Sequence, residues 1–124
     1  MRMGLVAAAV VAVGCGPSPT PATPAPNEVV DCGPAGRAGG EIATQALLDP
    51  ADLTARGDAA RAAGVEATIE ACRRDGWSAA AAACVAGAGD GAAMAACDAQ
   101  LTEAQRAGYA EAWRTRVLPT YGNP

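Results

Sequence analysis

Thiols carry most of the chemistry open to this sequence. Five cysteines stand at positions 15, 32, 72, 84 and 97. A thiol can be acylated, oxidised to a disulfide, exchanged with another disulfide or bound to a metal. The chain has no histidine, so a nucleophilic Ser or Cys has no imidazole base to draw on. Ser78 reads more simply as a helix N-cap. Glu66 and Glu70 lie one helical turn apart, but general acid–base work needs carboxyls in a pocket that shifts their pKa values. They read instead as a solvated helix face. Trp77 and Trp113 are the side chains best suited to touch an apolar ligand. Trp77 is expected to cover a cystine, and Trp113 to sit in a core or a groove. No catalytic residue, metal site or cofactor is expected.

The spacing of the last four cysteines favours structural disulfides. The gaps after Cys32 are 39, 11 and 12 residues, with no Cys-x-x-Cys redox pair and no close pairs of the kind structural zinc sites use. Four thiols in an exported chain give an even number to pair. Short connections between helices force antiparallel neighbours. Counted outward from Gly76 and Gly89, Cys72 and Cys97 then come to the same height. This register favours Cys72–Cys97 with Cys32–Cys84. Cys72–Cys84 with Cys32–Cys97 is the next choice, and four cysteines allow three pairings in all.

Cys15 belongs to a different setting. Residues 1–14, MRMGLVAAAVVAVG, hold one charge and an apolar run from Leu5 to Val13, too short for a membrane span of about 20 residues and suited to an export signal. Ala12-Val13-Gly14-Cys15 resembles the lipobox of bacterial lipoproteins, although Leu is commoner where Ala12 stands. The resemblance implies cleavage before Cys15 and lipidation of that residue. An ordinary secretory signal is the plainer alternative. Residues 15–28 would then be the lipidated Cys and a Pro-rich tether, GPSPTPATPAPNE, that favours extended polyproline II. Its 13 residues reach about 40 Å at ~3.1 Å each.

Residues 29–124 make one small domain. VVDCGPAGRAGGE is Gly-rich and reads as irregular, followed by a short helix over Glu41–Leu48. Asp49-Pro50-Ala51-Asp52 is a strong helix start, and Gly57 either breaks or weakens that helix. Ala62, Val65, Ile69 and Cys72 form an apolar stripe, with Glu70 and Arg74 placed to pair across one turn. Arg73 and Arg74 suit a helix C-terminus, and Gly76 suits the left-handed position after it. Ser78 caps a helix ending near Gly87 or Gly89. Asp90 caps another that carries Ala93, Met94, Cys97 and Leu101 on one face. Thr102 and Gln105 form a capping box for a last helix lined by Leu101, Gln105, Tyr109, Trp113 and Val117. That helix stops before Pro119, and the final YGNP is expected to fray. The fold class is all-α: a small disulfide-braced bundle of four to five antiparallel helices. Its core is alanine-heavy and light, so two disulfides at about 2–4 kcal/mol each matter.

All nine basic residues are arginine, and the net charge is −4. Loss of Arg2 with the signal leaves eight arginines against 13 acids, which argues against nucleic acid as a partner. The string Cys72-x-x-Asp75-x-Trp77-Ser78, with Cys84-Val85, Cys97 and Leu101-Thr102-x-x-Gln105, resembles small Cys-bearing helical lipoproteins of Gram-negative envelopes. That group has no assigned activity, so the resemblance implies compartment and fold but no mechanism. The expectation is a non-enzymatic, lipid-anchored protein of the bacterial cell envelope. Its periplasmic or surface-facing domain would bind or scaffold an envelope protein partner, with the lipid as membrane anchor, most simply in the outer membrane. The alternatives are a periplasmic small-ligand carrier and a thiol-active accessory protein.

Overall fold

The computed structural model describes residues 29–122. The export signal, Cys15 and the Pro-rich tether lie outside the described residues. Among the described residues the chain forms helices and no strand: α1 (Gly33–Gln45), α2 (Pro50–Arg74), α3 (Ala79–Ala86), α4 (Gly91–Ala96), α5 (Glu103–Arg116) and the one-turn α6 (Leu118–Tyr121). A 3-10 turn, Cys97–Gln100, joins α4 to α5. The all-α, disulfide-bearing class expected from the sequence is therefore the class observed.

The signals at helix ends act as their chemistry dictates. The Asp49 carboxylate accepts from the Ala51 N–H at 2.8 Å, with Pro50 in the first turn. At the far end of α2, Gly76 takes φ +63°. The Trp77 N–H then donates to the Cys72 carbonyl at 3.1 Å, closing a Schellman turn. Ser78 caps α3 and Asp90 caps α4. Thr102 and Gln105 form both bonds of the capping box on α5. The Gln105 amide also donates to the carbonyls of Asp75 and Gly76, at 3.1 and 3.3 Å, so the start of α5 is docked on the end of α2.

Four elements differ from the sequence reading. The Gly-rich segment is not irregular: α1 begins at Gly33 and ends before Leu48. Three interior glycines cost the helix about 1 kcal/mol each against Ala. They also let two backbones nearly touch. A Cβ on Gly64 would stand 2.5 Å from the Gly39 carbonyl oxygen, and one on Gly39 would stand 2.8 Å from the Gly64 oxygen. Tertiary packing thus overrides propensity. Secondly, Gly57 leaves α2 unbroken, and the buried face of α2 runs through Ala60, Ala63, Gly64, Ala67, Thr68 and Ala71 to Cys72. Ala62 is exposed and Val65 and Ile69 are half-buried, because the seam with α1 selects the smallest side chains. Thirdly, α4 stops at Ala96, short of Cys97 and Leu101. It has no buried residue, so no packing extends it. Finally, Tyr121 is not frayed: its hydroxyl donates to the Ala43 carbonyl at 2.6 Å, and Arg56 donates to the Tyr121 carbonyl at 3.0 Å.

The disulfides are Cys32–Cys72 and Cys84–Cys97, with Cα–Cα separations of 6.0 and 5.7 Å. This corrects both the favoured pairing, Cys72–Cys97 with Cys32–Cys84, and the second choice. The register count failed because the chain before Glu41 is helical rather than shapeless. As a helix, α1 runs antiparallel to α2, with Gly40 at Val65, Gly39 at Thr68 and Gly36 at Ile69. One more turn of that register brings Cys32 opposite Cys72.

Two buried clusters fill the interior. One gathers both cystines around Trp77, Val85, Leu101 and Tyr109. The other holds Ala43, Ala63, Ala67, Ala112 and Val117. Trp113 packs against both.

Candidate functional site

Tyr109 anchors the inner wall of the site. Its ring meets Trp77 edge-on at 5.1 Å and Trp113 edge-on at 6.0 Å. The Thr68 hydroxyl donates to the Gly64 carbonyl at 2.8 Å and faces the Tyr109 hydroxyl, also at 2.8 Å. The Met94 sulfur lies 3.4 Å from the same phenol oxygen. Burial pushes the Tyr109 phenol up to about 12, against a smaller lowering by the Thr68 bond. At this pKa the phenol stays protonated and serves as a fixed strut rather than a base.

Outside that strut, α4 and α5 line an open groove of about 880 Å³. Met94 and Ala95 line one wall, and Ala107, Ala110 and Trp113 line the other, with Leu118 at the end. Leu118 is 48% exposed, a large apolar side chain left at the rim. Charged groups border this surface: Asp98, Glu103, Arg106 and Arg114. Arg114 is paired with Glu111, and the Arg106 guanidinium donates to the carbonyls of Asp98 and Leu101 at 3.1 Å each. The groove is therefore an apolar floor with polar edges, a form suited to binding.

The residues singled out in the sequence fall in three places. Trp113 lines the groove. Trp77 does not: it is 1% exposed in the core beside the cystines, and its Nε1 has no acceptor among the described residues. Cys32, Cys72, Cys84 and Cys97 are all in disulfides, and no three Cys, Asp or Glu side chains among the described residues converge as metal ligands. Glu66 and Glu70 both meet Arg116, Glu66 at 3.6 Å, and Glu70 also pairs with Arg74 at 3.3 Å. They tie α5 to α2 across the surface. Cys15 lies outside the described residues. No described helix is long and apolar enough to cross a membrane.

Met94, Ala107, Ala110 and Leu118 are the groove residues that sequence reasoning missed. A signal was present. The outward positions of α5 include alanines where a solvated helix would carry more charge, and GAAMAA forms a whole helix without one polar side chain. No protein-family model, curated protein or solved structure matches the chain.

Proposed function

We propose that this is a lipid-anchored protein of the bacterial cell envelope whose helical domain acts by binding rather than catalysis. Acylation of Cys15 would hold it to the membrane, and residues 16–28 would space the domain from the lipid. The open groove beside Trp113 supports the binding reading: it exposes apolar side chains on a chain whose other candidate chemistry is taken up by disulfides and surface ion pairs. Its openness along α5 favours a helix or protein surface over an enclosed small molecule, so scaffolding is preferred to ligand carriage.

A photoreactive side chain in place of Met94, on the groove wall, tests this in intact envelope membranes, with Ala59 on the exposed face of α2 as control. A discrete adduct from position 94 and none from position 59 is the expected result. Identical patterns from the two positions would remove the binding role. In parallel, Cys15→Ser should release the chain from the membrane fraction and abolish incorporation of labelled fatty acid. Retention of both in that variant would remove the anchoring role.

A further inference from the structure

We infer that the occupant of this groove is a second copy of the same chain, packed α5 against α5 in antiparallel fashion. The inference rests on the binding reading above and supplies its partner. Four exposed residues make one line along the outer face of α5: Glu103, Ala107, Ala110 and Arg114. Their steps of four, three and four are the same read from either end, and the charges at the two ends are opposite. A two-fold axis passing between Gly108 and Tyr109 sets Glu103 against Arg114 of the partner, and Arg114 against the partner's Glu103. Ala107 then faces Ala110 of the partner, again twice. This is the reciprocal pattern that an isologous interface requires.

The end charges stand about 16 Å apart at 1.5 Å per residue. Each two-fold pair would bring one acid to one base, whereas a parallel pairing would set like charges together. Small side chains at the centre permit close approach, as they already do between α1 and α2. Glu103 makes no ion pair among the described residues, and Arg114 has only its neighbour Glu111. Glu103 is thus open to a cross-axis partner, and Arg114 would meet it from an exposed pair with Glu111 on its own helix. Met94, Trp113 and Leu118 border the same groove and would be covered by the incoming helix.

Charge reversal separates this arrangement from an accidental pattern. The full chain in neutral, density-matched detergent is followed by sedimentation equilibrium across a range of protein concentrations. The wild-type chain is expected to be a dimer. Glu103→Arg or Arg114→Glu alone should each weaken the dimer about tenfold or more. The double variant, Glu103→Arg with Arg114→Glu, should recover most of that loss, because every cross-axis pair is again opposite in sign. Circular dichroism checks that each variant keeps its helix content. A monomeric wild type, or single effects that add without recovery, would overturn the inference. The mass of the Met94 adduct tells the two readings apart. Twice the chain mass supports the second copy. An adduct of another mass overturns it yet leaves the groove a binding site, and no adduct ends both.

Discussion

Gly64 and Gly57 show how differently one residue type can act in one helix. Both lie on the buried side of α2. A methyl group on Gly64 would meet the Gly39 carbonyl oxygen at 2.5 Å and the Ala43 Cβ at 2.8 Å, neither of which can swing aside. Overpacking of this sort costs about 1–3 kcal/mol, against a helix-propensity gain of up to about 1 kcal/mol. On Gly57 the nearest atom is the flexible tip of Leu53 at 3.3 Å. Gly64→Ala is therefore expected to lose about 1–2 kcal/mol and Gly57→Ala to be neutral or to gain up to ~1 kcal/mol. Urea unfolding of the two variants checks this, and a stable Gly64→Ala would refute the close seam. Tyr109 supplies a second expectation. Its folded pKa, about 12, lies above the ordinary 10.0. The folded state therefore holds that proton more tightly. The contribution is complete below pH 10 and is lost as pH rises from about 10 through about 12, by about 2–3 kcal/mol in all. Tyr109→Phe should flatten this alkaline decline, measured as urea stability from pH 8 to 11.5. An unchanged slope would show that the phenol is not the group responsible.

Helix ends are the most readable elements here, because capping is local chemistry. Asp49-Pro50, Gly76-Trp77-Ser78, Asp90 and Thr102 with Gln105 all act where their types and spacing place them. The first two turns of α1, before Glu41, were not readable, because the glycines that weaken them alone become useful only against α2. The cystine pairing failed for the same reason, and the groove stayed hidden because tertiary contacts bring α4 and α5 to its two walls. The two disulfides brace unequal structures. Cys32–Cys72 spans 40 residues and staples α1 to α2, while Cys84–Cys97 spans 13 and tethers the hairpin that carries α4. Chain-entropy reasoning assigns them about 4 and about 3 kcal/mol. With no buried residue of its own, α4 depends on that tether. Cys84→Ala with Cys97→Ala should raise amide exchange across residues 87–100 while α1 and α2 stay protected, read by hydrogen exchange with mass spectrometry. Uniform acceleration over the chain would show that α4 is instead part of the main cooperative unit.

The bundle as a unit gathers its largest aromatic groups together, with Trp77, Tyr109 and Trp113 in successive edge-to-face contacts. Alanine fills most of the rest. Surface ion pairs between α2 and α5 add little individually, so burial and the cystines carry the fold. The bonding order of those cystines has a consequence for biogenesis. Among the four described cysteines, first joins second and third joins fourth. A chain delivered N-terminus first presents Cys32 and Cys72 to an oxidant before either later thiol arrives, and then presents Cys84 and Cys97 together. If the chain is exported N-terminus first and Cys15 is acylated, as proposed above, order of arrival alone favours the native bonds.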